Sequence, residues 1–344
     1  MSKNTIVNPG LEFERPIYEL QARIEKLQQR ADDSPEAAEE VRQARRDLTN
    51  LIKKIYGNLT SWQTVQVARH KDRPQTLDYL SMVFDEFVEL HGDKYFGDDR
   101  AIRTGLAKLG QFKVMFVGHH KGRDLNERSE CYFGCAHPEG YRKALAKMKT
   151  AAKFNLPIIC LIDTPGAYPG IGAEERGQAQ AIAENMYEMS RLKTPIICIV
   201  IGEGGSGGAL GIGVGDRIAM LQNSYYSVIS PEGCAGIIWK SHKFAEQAAE
   251  ALKFTSKYLP SFGVVDDVIE EPLGGAHRDP HQMANRLKVY LLKALRELSD
   301  LKTEDLLTKR YEKFRKMGVF LEQFQREAEA NEDPQPEPAD SATS

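Results

Sequence analysis

A glycine-rich stretch from residue 202 to residue 213, GEGGSGGALGIG, is the part of the sequence best suited to chemistry. It directly follows the apolar run IICIVI and is predicted to open a helix. A helix N-terminus leaves its first N–H groups unpaired, and glycine lets a ligand oxygen approach such donors without a Cβ in the way. The stretch can therefore act as an oxyanion hole, in which backbone donors stabilise negative charge that develops during a reaction.

Two other enzyme motifs overlap the same stretch. Gly202, Gly204 and Gly207 fit the dinucleotide pattern G-x-G-x-x-G, but the acidic residue expected about 20 positions later is missing. The segment GGSGG at 204–208 also fits G-x-S-x-G, in which Ser206 would be a hydrolase nucleophile. The other members of its triad would come from Asp266 or Asp267 and from His277 or His281. A serine hydrolase is the main alternative from the residues alone.

Two further motifs carry less weight. DTPG at 163–166 resembles a GTPase switch segment, but the sequence has no Gly-Lys-Ser/Thr phosphate loop to accompany it. Cys131, Cys135 and His137 could offer three metal ligands, but their spacing differs from that of common zinc sites and no second pair follows. We therefore expect neither nucleotide hydrolysis nor a metal in this chain.

A local group of basic side chains could bind phosphate or carboxylate groups of a substrate. The alternative is a solvated charged face, which needs no ligand. The group comprises His119, His120, Lys121, Arg123, Arg142 and Lys143.

Two similar apolar runs predict the strands that position these motifs. PIICL at 157–161 is repeated as PIICI at 195–199, and both runs follow a predicted helix and lead into glycine-containing loops. The spacing is long enough for a strand, a loop and a crossover helix. RIAML and YYSVIS predict further short strands, and Ser230-Pro231-Glu232 predicts the start of a helix.

Helical periodicity dominates both ends of the chain. Apolar residues between 17 and 55 step by three and four on either side of DDSP, which predicts a helical hairpin in which Ser34 caps the second helix. Further helices are expected at 76–90 and 281–330, and an acidic, proline-containing tail is expected to be disordered. The predicted domains are an N-terminal hairpin and linker at 1–75, a main domain at 76–328 and the tail at 329–344.

The composition excludes several classes of protein. The chain has 344 residues and nearly balanced charge, with 46 Lys and Arg against 49 Asp and Glu, so its bulk charge indicates neither nucleic acid nor a membrane as a partner. Its apolar runs are far shorter than the roughly 20 residues of a membrane span. Five cysteines, two of them within apolar runs, are typical of free thiols and of a cytoplasmic location.

Several of these segments together resemble the alpha subunits of acetyl-CoA carboxylase carboxyltransferase. The resemblance extends over about residues 5 to 325, and this sequence departs from the family pattern around 127–132 and at Cys135, where methionine is expected. The matching segments are GHHKGRD at 118–124, FGCAHPEGYRKAL at 133–145, IDTPGAYPGIGAEERGQA at 162–179, GEGGSGGALGIGVGD at 202–216, SVISPEGCA at 227–235 and EPLGGAHRD at 271–279.

The resemblance implies an α/β crotonase-like spiral of repeated strand-strand-helix units for the main domain. It also implies a partner, a homologous beta subunit that carries a zinc ribbon and most of the CoA site, in an assembly of two alpha and two beta chains. Carboxybiotin would arrive on a biotin carboxyl carrier protein charged by biotin carboxylase. The product would be malonyl-CoA for fatty acid synthesis.

The resemblance also assigns roles to residues. The amides of Gly204 and Gly205 would hold the ureido oxygen of biotin, and the beta subunit would hold the thioester oxygen of acetyl-CoA. Gly207, Gly208, Lys121, Arg123 and Arg142 would bind substrate. Beside the transferase and the serine hydrolase, a third hypothesis is a non-catalytic scaffold that binds an acyl-CoA or a partner subunit.

Overall fold

A computed structural model describes residues 10–31 and 35–318 of the chain. Its strands are β1 Glu86–Glu89, β2 Ile102–Leu109, β3 Phe112–His119, β4 Ile158–Thr164, β5 Ile196–Gly205, β6 Arg217–Leu221, β7 Tyr225–Ser227 and β8 Asp267–Ile269. Its helices are α1 Arg15–Ala31, α2 Pro35–Tyr56, α3 Ser61–Ala68, α4 Thr76–Val83, α5 Leu125–Glu130, α6 Pro138–Lys153, α7 Ile171–Glu175, α8 Gln178–Arg191, α9 Ser206–Leu210, α10 Pro231–Trp239, α11 Ala245–Leu252, α12 Pro280–Ser299 and α13 Thr303–Arg315.

The described strands form one mixed sheet in the order β1-β2-β3-β4-β5-β6-β8, and β7 pairs with the end of β5. The first three strands are antiparallel, and β3 to β8 are parallel. Helices cover both faces of the parallel part, as strands joined by helical crossovers require.

The repeated apolar runs form strands, as predicted, and the two strands are parallel neighbours in the sheet. Ile158 of β4 pairs with Ile196 of β5, and Cys160 pairs with Cys198, so the pairing register has the same 38-residue offset as the sequence repeat. Every residue of both strands is buried. Strands buried on both faces need apolar side chains at every position, which accounts for their continuous apolar runs.

Alternate residues of these strands face two separate parts of the core. Ile159, Leu161, Ile197 and Ile199 pack with residues of α4 and α12. Ile158, Cys160, Ile196 and Cys198 pack with residues of α6 and α8 on the other face. Because successive side chains of a strand point to opposite faces, the two core layers lie on opposite sides of the sheet. Cys160 and Cys198 are free, buried thiols.

One predicted helix is shorter than its periodicity indicates. The pattern at 76–90 predicts a single helix, but α4 ends at Val83 and residues 86–89 form β1. Phe84 is extended, and the N–H of Asp85 donates to the carbonyl of Lys108 in β2. Pairing with the edge of β2 satisfies the backbone hydrogen-bonding groups of residues 85–89. The apolar pattern of a single segment cannot predict this pairing, because the partner strand lies elsewhere in the sequence.

The predicted N-terminal hairpin is present. Ile24 of α1 packs against Val41 and Ala44 of α2, so much of the apolar stripe is used between the two helices. Ser34, the predicted cap, lies outside the described residues. The base of the hairpin contacts the main domain through Glu14, whose carboxylate accepts from Tyr56 Oη at 2.7 Å and from Arg278 Nη2 at 2.6 Å.

A buried ion pair joins the segment after α3 to the C-terminal part of the domain. Arg73 and Glu271 have side chains that are 3% and 0% exposed, and Arg73 Nη2 lies 2.5 Å from Glu271 Oε1. Arg73 Nε also donates to the carbonyl of Ile201 in β5, and Glu271 accepts from the backbone N–H groups of Asn223 and Ala276. Contacts of the first 75 residues therefore extend beyond the hairpin, and a domain boundary at residue 75 stays a prediction.

We expect Glu14→Gln to lower the free energy of unfolding at pH 7 by about 3 kcal/mol, because the half-buried guanidinium of Arg278 loses its fully buried anionic partner. Burial alone would raise the pKa of Glu14, but hydrogen bonds from His277, Arg278 and Tyr56 lower it strongly. A carboxyl whose pKa is depressed by folding stabilises above its unfolded pKa, here near the ordinary 4.5, and this stabilisation is lost as the pH falls below that value.

Urea unfolding at several pH values measures this difference. Glu19→Gln is the matched control, since Glu19 forms an exposed pair with Arg15 that should be worth less than about 1 kcal/mol. Equal stability of Glu14→Gln and the parent chain at pH 7 would show that the Glu14 contacts do not hold the hairpin.

Candidate functional site

Three of the predicted motifs meet at one edge of the sheet. Lys121 follows the end of β3, DTPG spans the end of β4, and the glycine stretch spans the end of β5. Since these strands are adjacent and parallel, their carboxyl ends lie side by side, which is where ligands bind in such sheets. This edge is the candidate site.

The glycine stretch has the predicted strand-to-helix form, but its strained residue is not a glycine. β5 continues to Gly205, and α9 begins at Ser206. Gly205 is extended, with φ of −89°, whereas Ser206 has φ of +49°. Gly205 is therefore not needed for a positive φ, and Ser206 takes the left-handed turn instead.

The glycines are instead required for close packing of backbone. A Cβ at Gly205 would lie 2.1 Å from the carbonyl oxygen of Pro165, and one at Gly208 would lie 2.5 Å from the carbonyl carbon of Gly166. At Gly207 a Cβ would meet only ordinary contacts, at 3.5 Å from Ile182. Gly204 and Gly205 are buried, while Ser206 is exposed and Gly207 half-buried. A ligand would reach the loop from the Ser206 side.

Charged residues form a network beside this loop. Lys121 Nζ lies 2.6 Å from Asp163 Oδ1 and 2.5 Å from Glu203 Oε2. Glu203 Oε1 accepts from Arg69 Nε at 2.7 Å and from Tyr225 Oη at 2.6 Å. Burial alone would raise the pKa of Glu203, but the positive charges of Lys121 and Arg69 lower it to about 2. The carboxylate is therefore ionised at neutral pH.

A cavity of about 300 Å³ opens next to the network. Its lining combines basic groups with the apolar rings of Phe133 and Pro165. Phe133 has φ of +56° and is half exposed. The cationic side chains that line it are Arg69, Arg73, Lys121 and Arg128.

The predicted basic group is dispersed over separate contacts. Arg123 donates to Asp78 and, at 3.3 Å, to the carbonyl of Lys71. Arg142 donates to Asp93 at 2.9 Å and to Glu139 at 3.0 Å. Lys143 contacts Asp98, and His120 contacts Glu127. Binding of substrate by Arg123 and Arg142 stays a prediction, and the contacts described here are internal ones.

His119 lies within the same edge but is fully buried. Burial, together with the positive charge of Lys121, lowers the pKa of His119 to about 3. Its ring is neutral at physiological pH, so His119 supplies no cation for a phosphate.

The geometry contradicts the serine hydrolase hypothesis. Asp267 pairs with Ala219, which in turn pairs with Ile199, so Asp266 and Asp267 are level with the middle of β5. Ser206 lies seven residues further along, roughly 20 Å away at the rise of a strand. Asp267 accepts from Tyr290, and Asp266 pairs with Lys313. Neither aspartate can orient a histidine for Ser206.

The predicted cysteine ligands do not converge either. Cys131 Sγ points to the carbonyl of Arg100 at 3.7 Å, and the His137 ring stacks on Tyr168. Among the described residues, one other group could hold a metal by distance, namely Glu14, His70 and His277. Arg278 already supplies a cation to Glu14 at 2.6 Å, so a metal ion there would be opposed by its charge.

Sequence reasoning missed four members of the charged network: Arg69, Asp163, Glu203 and Tyr225. A signal was present for the two acids, since each interrupts or ends an otherwise apolar, fully buried strand. A buried charge needs a partner, so an acid at such a position indicates a cation nearby. Arg69 carries no comparable signal. It directly follows α3, and an arginine at the end of a helix is usually solvated.

Within residues 10–31 and 35–318, no helix is both long and apolar enough to cross a membrane.

The fold is the crotonase-like fold of carboxyltransferases. The transcarboxylase 12S structure matches with a TM-score of 0.51 and 21% identity, covering 64% of this chain and 42% of that one. A Pseudomonas malonate decarboxylase hetero-tetramer in complex with coenzyme A matches with a TM-score of 0.52 and 17% identity, covering 68% and 91%. At these identities the likeness concerns the fold alone.

Sequence comparisons define the family. The model of acetyl co-enzyme A carboxylase carboxyltransferase-like proteins matches residues 10–318. The alpha subunit of acetyl-coenzyme A carboxylase carboxyl transferase from Rhodopirellula baltica is 65% identical over 92% of this chain and 100% of its own length. That from Methylococcus capsulatus is 54% identical over 91% and 98%. The chain belongs to this family of carboxyltransferase alpha subunits.

Proposed function

We propose that this chain, together with a beta subunit, transfers the carboxyl group of carboxybiotin to acetyl-CoA and forms malonyl-CoA for fatty acid synthesis. The observation that carries this proposal is the glycine loop at the carboxyl end of β5, packed against the backbone of 165–167 with no side chain between them. Backbone N–H groups at such a strand-to-helix junction are suited to an oxygen that gains negative charge.

The chain's own part in catalysis is to hold one such oxygen. In this proposal the amides of Gly204 and Gly205 stabilise the ureido oxygen of biotin, and Gly207 and Gly208 bind substrate. Biotin, bound covalently to a carrier protein, supplies the carboxyl group and accepts a proton from acetyl-CoA. Donors fixed before the reaction need no reorganisation as the charge develops, which is the source of their effect on the rate.

The partner in this proposal is a zinc-containing beta subunit in an assembly of two alpha and two beta chains. Large apolar side chains on and around α7 and α10 support a partner surface, since Ile171 and Val228 are each 75% exposed and Ile237 and Ile238 are also exposed. Val228, Ile237 and Ile238 lie on or beside one helix, and an apolar patch there would mark a protein interface. Biotin carboxyl carrier protein and biotin carboxylase would complete a cytoplasmic enzyme system.

Reconstitution tests the proposal. The chain is purified with a beta subunit and supplied with biotinylated, carboxylated carrier and acetyl-CoA, and malonyl-CoA is measured. Formation of malonyl-CoA that requires the carrier is the expected result. An assembled complex that binds acetyl-CoA but forms no malonyl-CoA would favour the non-catalytic scaffold.

Ser206→Ala should retain most of the transfer activity, because the loop acts through backbone donors and not through the hydroxyl. The Ser206 side chain is exposed and neither Asp266 nor Asp267 is placed to complete a triad, so its loss removes no catalytic group. Steady-state rates of the mutant and parent complexes measure this. A loss of several orders of magnitude in an intact complex would restore the covalent mechanism.

A further inference from the structure

A single lysine joins the ends of three neighbouring strands beside the glycine loop. Lys121 follows the last residue of β3 by two positions and contacts Asp163 of β4 at 2.6 Å and Glu203 of β5 at 2.5 Å. We call these three side chains the Lys121 clamp. The lysine side chain is 15% exposed and each acid 8%. Charges this deeply buried are costly unless they are paired, so each member depends on the others.

The clamp lies where the pairing of β4 with β5 is irregular. Ile162 pairs with Val200, but Thr164 pairs with Gly204, so Asp163 alone lies opposite residues 201–203. The backbone N–H of Glu203 within this bulge donates to Asp163 Oδ1 at 2.9 Å. A bulge changes the direction of the residues that follow it, and here those residues are Gly204 and Gly205. Asp163 thus fixes the backbone immediately before the proposed oxyanion donors.

The clamp is closely packed on two sides, and its three members also line the cavity of about 300 Å³. A Cβ at Gly202 would lie 2.5 Å from Asp163 Oδ1, and a Cβ at Gly134 would lie 2.7 Å from Lys121 Cγ. Both glycines are therefore packed against the clamp itself. The lysine is enclosed by its own chain on these sides.

The positive charge of Lys121 is balanced within the chain. Lys121 pairs with Asp163 and Glu203, and Arg69 pairs with Glu203 and Glu232, so two cations meet three anions. A lysine whose charge is already neutralised by two carboxylates attracts an additional anion weakly. This argues against the direct substrate contact that the sequence alone suggests for Lys121.

We propose that Lys121 and Asp163 are positioning residues that hold the Gly204–Gly205 backbone in its catalytic geometry without contacting substrate. The inference rests on the proposed function of these amides. It predicts that loss of either side chain lowers kcat and leaves the KM for acetyl-CoA unchanged, because the donors are displaced while the substrate sites stay intact.

The test uses the full alpha chain assembled with a beta subunit. Lys121→Met and Asp163→Ala should each lower kcat by about 100-fold, the effect of a small displacement of catalytic groups. Asp163→Asn should lose less, because its amide oxygen can still accept the Glu203 N–H. Lys113→Met, which removes an exposed lysine from β3, is the matched control and should keep the parent kcat and KM.

The outcomes separate positioning from binding. A raised KM with unchanged kcat in Lys121→Met would overturn the proposal in favour of a substrate contact, and unchanged kinetics in both Lys121→Met and Asp163→Asn would also overturn it. If Asp163→Ala fails to assemble, these two variants still decide the matter. Absence of malonyl-CoA formation by the parent complex would instead refute the proposed function and is seen before any variant is compared.

Discussion

Purified without a partner, the chain should form no detectable malonyl-CoA from carboxylated carrier and acetyl-CoA. The reaction develops negative charge at two oxygens, one on biotin and one on the thioester, and both need preorganised donors. The described residues place one glycine-rich donor loop at the carboxyl edge of the sheet. Loss of a single oxyanion donor costs roughly 100- to 1000-fold in rate, so a missing donor set leaves almost no turnover.

Malonyl-CoA formation is measured for the alpha chain alone, for the beta subunit alone and for the mixture. The beta subunit alone is the matched control, since it would lack the biotin site. Turnover by the alpha chain alone at a rate near that of the mixture would contradict the division of the active site between two subunits.

Gly205→Val should lower kcat for carboxyl transfer by a factor equivalent to roughly 2.7–4 kcal/mol, the effect of a lost oxyanion donor. The structure gives a direct reason, since the added Cβ would lie 2.1 Å from the carbonyl oxygen of Pro165 and the backbone of one strand end must move. The same collision should lower the free energy of unfolding by about 1–3 kcal/mol. Assembly with the beta subunit and affinity for acetyl-CoA should change little.

Two further variants make this result interpretable. Gly204→Ala places a Cβ 2.8 Å from a side-chain atom of Tyr226 and 3.1 Å from the carbonyl oxygen of Tyr225. These contacts are milder than the 2.1 Å approach at Gly205, so this variant perturbs the donors with less cost to folding. Gly97→Val, where a Cβ meets nothing within 4 Å, is the matched control for the substitution itself. Assembly, acetyl-CoA affinity and decarboxylation of carboxybiotin are measured separately. Weakened acetyl-CoA binding with unchanged decarboxylation would mean that the two oxyanion holes are assigned to the wrong subunits.

Periodicity and repeats predicted most of the framework. The PIICL and PIICI runs predicted two equivalent strands. The two strands pair in register, and every residue of both is buried. The hairpin was predictable because α1 and α2 pack mainly on each other, so the signal is local. β1 was not predictable, because its identity as a strand depends on the edge of β2, about 20 residues away in the chain.

The candidate site was predictable in its backbone and not in its side chains. Glycines such as Gly205 indicate close approach, although the group approached, the carbonyl of Pro165, emerges only from the fold. Lys121 was singled out as a cation for substrate, and its partners within the chain are acids 42 and 82 positions away, Asp163 and Glu203. Charge pairing over such separations leaves no periodic signal, because it depends on which strands become neighbours.

The buried pair of Arg73 with Glu271 also constrains the order in which the chain can fold. The two residues are 198 positions apart, so the ribosome must deliver most of the chain before Arg73 meets its anion. Until then Arg73 must keep its guanidinium in water, since an unpaired charge in the interior is prohibitively costly. The segment that carries it cannot close over β5, whose Ile201 carbonyl it would cap. Nascent chains that end before residue 271 should consequently keep this segment open and accessible to proteases and to chaperones, so that the domain closes only after most of the chain has been made.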